Sequence, residues 1–524
     1  MSGFALSGHD LALAGRRRAA VLGALPALVT VAIHGSVLDL PRADVVDALD
    51  ADRYRIYWII GAWLLGNATG MASTAFFRDR FGLRRTMVGA MLVFALAASA
   101  CAATASVVQM APLRLLGGYS AGLVLCSSML VLWREFPHDT ELPMTLYGMG
   151  VWLSTLAGSI AGGLLVATFG WRSLFLVQFP LGLLAAGCAA DQLPDDRPVP
   201  GSAAPSFDVI GLAVLASWVG TMVPVFVLGH YWGWFDSPWF TPFGIAFGLA
   251  TAAFVAWGTL SARPIVDLRP LAHRNFGLGL VVKAALALDV TVLVSLLSGW
   301  MIGARGYQWW QGSLVFLPAL LAMALAMVAG ARFGRDRDRK ARIFVGLAVA
   351  SAVTWHVAHV DLYTYKVLVA AWLAAWGAGA GLAIGPIMLT IFEGLPRETL
   401  GHAAGTFNIF RALPVFAVGT LLVVFHAMQG DAHFDRLRLA VTRDRPIVSA
   451  TRSSIERRLA SHGVPSERRT AQAHAVLAGW VGRNAAAFAL EDVLRVLALV
   501  TAAALLVVPW LDPPPASRRG AASS

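Results

Sequence analysis

Charge is what this chain has least of. Asp, Glu, Lys and Arg together make up 14% of its 524 residues, against about 25% in an ordinary soluble domain. Hydrophobic residues make up 57%, and the mean hydropathy is +0.67. This excludes a water-soluble globule: many segments reach roughly 20 apolar residues, enough to cross a hydrocarbon core about 30 Å thick. Cysteine is scarce too. Cys101, Cys126 and Cys188 lie in apolar runs with no CxxC spacing and no histidine cluster, which argues against a disulfide framework or a zinc site. Of the 41 basic residues only three are lysines, Lys283, Lys340 and Lys366. None follows a glycine, so the chain has no GxxxxGK phosphate loop and no ATPase of its own. No nucleophile–base pair or metal-ligand cluster stands near the end of an apolar segment. The chain is therefore not expected to be an enzyme, and no cofactor or metal is implied.

What is present is an all-α polytopic membrane protein. Fourteen spans are expected near 19–39, 56–77, 86–106, 108–132, 143–167, 172–190, 208–229, 241–261, 276–302, 309–331, 343–359, 366–392, 402–427 and 491–510. The basic, apolar opening is read as an uncleaved first span, because no small-residue cleavage site is evident. The linker "DQLPDDRPVPGSAAPSFD" has a flexible composition. It suggests a six-span bundle over 1–190, a linker with two additional spans over 191–261, and a second six-span bundle over 262–524. "FRDRFGLRRTM" after span 2 has an echo in "GARFGRDRDRK" after span 10. This suits two repeated halves related by an axis along the membrane normal, as in one class of secondary transporters.

The arginines give the orientation. "GRRR", "RDRFGLRR", "ARPIVDLRPLAHRN" and "GRDRDRKAR" fall on alternate loops. The loop "DLPRADVVDALDADRYR" on the other side carries five aspartates against three arginines. Lys/Arg bias in short loops marks the cytoplasmic side, so both termini are expected in the cytoplasm. The same topology accounts for the net charge of +11 without nucleic acid as a partner. A loop over about 428–490 falls outside, with one or two helices clear of the membrane. It reads equally as a solvated cap and as a docking surface.

Span 9, "GLVVKAALALDVTVLVSLLSGW", sets Lys283 and Asp289 in an apolar run. Ionisable residues inside a span are expensive and mark functional sites by default. Six residues apart, the two point about 120° from each other and lie about 9 Å apart in height. A local salt bridge is therefore not expected, and each needs a partner from another helix or from water. Either they form a proton relay that exchanges partners, or each belongs to a fixed pair that locks helices. Arg411 on span 13, beside Asn408 and Pro414, is a further candidate for an anionic ligand. The stretch with Gly377, Gly381 and Gly385 reads as packing.

Several motifs carry a resemblance. "FFRDRFGLRRTMV" resembles the loop motif between spans 2 and 3 of the major facilitator superfamily; Asp79, Arg80, Gly82, Arg84 and Arg85 match, while Ala75 and Leu83 depart from it. "APLRLLGGYSAGLVL" is similar to the motif on span 4, which puts Arg114 within the span, facing the central cavity or snorkelling to the outer interface. "LAGSIAGGLLVATFGWRSLFLVQFP" resembles the exporter motif of span 5, with Gly158, Gly162 and Gly163 in place and Ser159 where a proline belongs. Further stretches resemble the fourteen-span drug:proton antiporter family of the EmrB/QacA type. The resemblance implies the major facilitator fold, two six-helix bundles plus two central spans. It also implies proton-coupled export of amphipathic drugs, with lipid around the protein and a periplasmic adaptor and outer-membrane channel as partners. An exporter of one metabolite or siderophore, or a membrane sensor, stays open. One departure bears on coupling. The family's span 1 aspartate aligns with Ala32 here; His34 follows two residues on, and Asp39 lies near the outer end.

Overall fold

The structure, a computed structural model, describes residues 8–36, 42–49, 55–136, 141–195, 207–333, 338–395, 400–441 and 445–512. Regular structure among these residues is helical throughout. The first half contains α1 (Gly8–Ser36), the short α2 (Arg42–Ala48), α3 (Ile56–Phe81), α4 (Leu83–Cys101), α5 (Val107–Glu135), α6 (Glu141–Phe169), α7 (Ser173–Leu176) and α8 (Gln178–Gln192). Next come α9 (Val209–Val223), which runs on through a π-helical turn at Pro224–Leu228, and α10 (Phe240–Leu260). The second half is α11 (Arg274–Gly303), α12 (Trp309–Leu314), α13 (Leu317–Phe333), α14 (Arg339–Val357), α15 (Lys366–Phe392), α16 (Leu400–Ala440), α17 (Pro446–Ser461) and α18 (Ser466–Leu505).

Twelve helices among the described residues are long and apolar enough to cross a membrane. The sequence reading expects fourteen. The two extra positions are helices as well, α3 and α14, but their composition falls short. Asn67, Thr69, Ser73 and Thr74 are buried on α3, and α14 opens on Arg339, Lys340 and Arg342. Both pack inside their halves, α3 on α5 and α14 on α15 and α18, where a polar or basic face need not meet lipid.

The segment over 428–490 also differs from expectation. It contains one separate helix, α17, and its two flanks belong to longer helices. α16 continues unbroken for 41 residues and α18 for 40, so both are longer than the spans expected at 402–427 and 491–510, with α17 packed against α18. Alanine-rich sequence without an internal proline lets α18 propagate across Gly479 and Gly482.

Close backbone approach builds each half. α3 crosses α5 where Gly66 and Gly70 meet the backbone of Leu115 and Tyr119, and Gly118 and Gly122 meet that of Trp63 and Asn67. In the second half Gly377 and Gly381 of α15 meet Ala319 and Met323 of α13. The same crossing thus recurs at spans 2 and 4 and at spans 10 and 12, as the sequence echo suggests. Small residues at helix crossings are the usual packing device in membranes. Gly118→Ala should lower stability by ~1–3 kcal/mol through overpacking, because its methyl would press on the Trp63 carbonyl. Thermal unfolding in detergent would show it. Gly89→Ala, where nothing stands within 4 Å, should change nothing; equal melting of the two variants would refute the packing argument.

α9 lies against α3 and α16, one helix from each half, while α10 packs mainly on α9. The Asp208 carboxylate anchors this pair. It caps α9 at Gly211 N (2.8 Å) and accepts from Trp257 Nε1 (2.9 Å) and Ile265 N (2.9 Å).

Candidate functional site

The halves meet along a seam where α6 packs on α12, α13 and α15, and α16 packs on α3 and α5. Gly158, Gly162 and Gly163 lie buried on α6, the helix that makes most of this contact. One end of the seam is closed by aromatics. Trp133 of α5 meets Phe392 of α15 edge-on at 4.6 Å, and Phe276 and Phe407 stand around Phe392.

A polar cluster also lies on the seam. Tyr147 of α6 donates its hydroxyl to Asn408 Oδ1 of α16 at 2.8 Å, from one half to the other. Asn408 Nδ2 donates to its own helix at Ala404 O (3.0 Å) and lies 3.7 Å from both Cys126 Sγ and Met129 Sδ of α5. Lys283 of α11 is 1% exposed and carries its Nζ 4.4 Å above the Trp152 ring of α6. Arg411 of α16, half-buried, follows Asn408 by three residues and so lies on the same face of the helix. Among the described residues no carboxylate pairs with Lys283 or Arg411, and Arg411 Nε is buried without a hydrogen-bond partner.

Asp289 faces elsewhere. Fully buried, it accepts from Thr354 Oγ1 of α14 (2.9 Å) and Trp376 Nε1 of α15 (2.7 Å), and Thr501 of α18 stands beside it. These contacts all come from the second half. As the spacing on α11 predicts, Lys283 and Asp289 do not meet. They share no partner either, which removes the geometric basis for a relay between them.

Arg114 does not snorkel, and it is not at the seam. It is 2% exposed inside the first half, with its guanidinium 4.4 Å over the Trp63 ring and Nη1 2.7 Å from His34 Nε2. Phe94 and Phe175 enclose the imidazole. A guanidinium only donates, so His34 Nε2 accepts and the imidazole is neutral with its proton on Nδ1. Asp39 lies outside the described residues.

In the loop motif, Gly82 turns the chain from α3 into α4 at φ 83°, a conformation that suits glycine. Asp79 pairs with its neighbour Arg78 (2.7 Å), and Arg85 reaches Asp195 (3.6 Å). Arg80 is exposed, and Arg84 opens α4 beside Gly82. Asp79 also lines a cavity of about 410 Å³ with Asp208, Asp267 and Arg269. Glu393, at the end of α15, is held by Arg339 at 2.7 Å. No group of three His, Cys, Asp or Glu among the described residues could hold a metal ion.

Tyr147, Trp152, Thr354 and Trp376 are residues that sequence reasoning missed. Each is an uncharged polar or aromatic residue in an apolar helix, and only its contact with a charged or amide partner marks it out.

The chain resembles known proteins over most of its length. The Major Facilitator Superfamily profile matches residues 17–419. The multidrug resistance protein Stp of Mycobacterium tuberculosis (strain CDC 1551 / Oshkosh) is 24% identical over 422 residues, covering 78% of this chain and 76% of that one. The tetracenomycin C resistance and export protein of Streptomyces glaucescens is 26% identical over 407 residues, covering 75% and 73%. The probable multidrug resistance protein EmrY of Escherichia coli (strain K12) is 21% identical over 474 residues, covering 88% and 89%. Among solved structures, a bacterial homologue of the human lysosomal transporter Spinster shares the fold in its inward-facing unoccupied conformation. Its TM-score is 0.56 at 12% identity, over 95% of this chain and 98% of that one. With two helical halves meeting at a seam and a profile match over most of its length, the chain belongs to the Major Facilitator Superfamily and is a membrane transporter rather than an enzyme.

Proposed function

We propose that the protein exports amphipathic toxic compounds across the inner membrane in exchange for inward-moving protons, by alternating access of its two halves. The Asp289 carboxyl carries this reading. It is buried in a span-length helix with neutral donors only, and an unpaired ion in such a place is expensive. A group whose charge is costly there and whose neutral form fits is suited to taking up and releasing a proton once per cycle. The names of the relatives, multidrug resistance and export proteins, support the substrate class. Reconstituted vesicles test the reading: adding substrate should move protons, and an imposed proton gradient should drive uptake into inverted vesicles. Substrate counterflow without proton movement would leave a transporter that is not proton-coupled. Neither activity would leave a sensor.

The reading includes a fourteen-span topology, with α3 and α14 crossing and both termini cytoplasmic. The extended ends of α16 and α18, with α17, then stand outside the membrane, where an adaptor leading to an outer-membrane channel could dock. In a cysteine-free background, single cysteines at Ser453 and Ala262 should react with an impermeant maleimide from opposite sides. Labelling from the same side would rule this topology out. Export of one defined compound is the second reading; it is favoured by a neutral His34 against Arg114 where the drug:proton antiporters carry an acid on span 1.

A further inference from the structure

We infer that the polar cluster on the seam is a binding site for amphipathic organic anions, with Lys283 and Arg411 holding the acidic head and Trp152 and Tyr147 bounding the aromatic or apolar body. This deepens the export reading by naming the substrate class, and it rests on that reading for the direction of transport.

Four observations carry the inference. Lys283 is all but fully buried, yet among the described residues nothing acidic meets its ammonium; its neighbour is the face of Trp152. A cation over a ring retains part of what it lost on leaving water, but its three N–H donors meet no acceptor among the described residues. Arg411, three residues beyond Asn408 and so on the same face of α16, adds a second cation beside the cluster, and its buried Nε has no hydrogen-bond partner among the described residues. Two like charges in one dry place repel, and an anion between them removes both the repulsion and the unmet donors. Asp289, the acid nearest in sequence, is committed to Trp376 and Thr354 on the far side of α11.

The surroundings select what else the anion carries. Trp152 and Tyr147 come from α6, while Lys283 and Arg411 come from α11 and α16. A ligand held by all four therefore touches both halves. Met129 and Cys126 border the same cluster through Asn408; thioether and thiol are soft, apolar walls. A small hydrated anion such as chloride leaves those walls unused. A carboxylate or sulfonate on an aromatic body meets both kinds of contact. A lipophilic cation would meet two positive charges and no acid.

Purified protein in a non-ionic detergent provides the test, with two dyes that share one fluorophore. Dansylglycine carries a carboxylate and dansylcholine a quaternary ammonium. Fluorescence titration should show dansylglycine bound at least 10-fold more tightly. Lys283→Met and Arg411→Gln should each weaken it at least 10-fold, and Lys283→Arg should retain it. Equal affinity for the two dyes, a preference for dansylcholine, no binding of either, or unchanged dansylglycine binding in the Lys283→Met protein would overturn the inference. If the variants misfold, the comparison on the unaltered protein decides alone. Phosphatidylglycerol, also an amphipathic anion, is titrated against bound dansylglycine. Displacement at equal concentration would assign the site to lipid and overturn the inference. Binding in detergent requires no proton gradient, so failure of proton-driven transport in vesicles bears on the export reading alone.

Discussion

Asp289→Asn should abolish proton-driven export while leaving a folded protein that still binds substrate. The substitution suits the site. Trp376 Nε1 can donate to the amide oxygen as it does to the carboxyl at 2.7 Å. The Thr354 hydroxyl, which now donates at 2.9 Å, can turn and accept from the amide N–H. The hydrogen bonds survive and the volume is unchanged, so little stability is lost. Only titration disappears. Substrate-evoked proton release should fall on the order of 10²-fold or more, beyond what tenfold per ~1.4 kcal/mol allows for a modest geometric change. Counterflow, which needs no net proton transfer, should continue. Asp289→Glu, which titrates but is longer, should retain part of the coupling. Normal proton-driven export by the asparagine variant would make Asp289 a structural acceptor for Trp376, and the coupling group would have to be sought elsewhere.

The two charges of α11 show how far the sequence could be read. Their oddness was plain: an ammonium and a carboxylate in an apolar run are costly enough to need a purpose. The 120° between them was plain from helix geometry. Their partners were not. Trp376 and Thr354 lie 87 and 65 residues from Asp289, and Tyr147 lies 261 residues from Asn408. Trp376, Thr354 and Tyr147 are uncharged residues with no fixed spacing to the groups they meet, so no motif marks them. The same limit explains the spans. The sequence reading placed helices at both α3 and α14, but it did not show that their polar or basic faces turn inward, where Asn67, Thr69, Ser73 and Thr74 of α3 and Arg339 and Arg342 of α14 are buried. The continuity of α16 and α18 was missed for the opposite reason. Hydropathy falls where a helix leaves the membrane, and the fall was read as the end of the helix.

The second large effect belongs to Arg114. Its motif placed it within a span, but the structure places it inside the first half, with His34, Trp63, Phe94 and Phe175 from α1, α3, α4 and α7. Arg114→Ala removes a charged hydrogen bond, worth ~1.5–3 kcal/mol. It also removes a desolvated cation–π contact worth about 2 kcal/mol, and it leaves His34 Nε2 without a donor. Export, corrected for the amount of protein in the membrane, should fall on the order of 10²-fold or more. Arg114→Lys should rescue it only in part: an ammonium cannot both lie flat on Trp63 and direct a planar N–H at the imidazole. His34 separates holding from titrating. Gln can accept from Arg114 through its Oε1 but takes up no proton, whereas Lys sets a second cation against the first. If His34 serves only to hold Arg114, His34→Gln should export within about threefold of the unaltered protein, a loss under 1 kcal/mol, and His34→Lys should be inactive. Drug efflux and proton release measured on one set of vesicles would check both. Normal export by Arg114→Ala would reduce the cluster to packing. A His34→Gln protein as inactive as His34→Lys would show that the imidazole itself must take up a proton, and the coupling assigned to Asp289 would then be shared between the two halves.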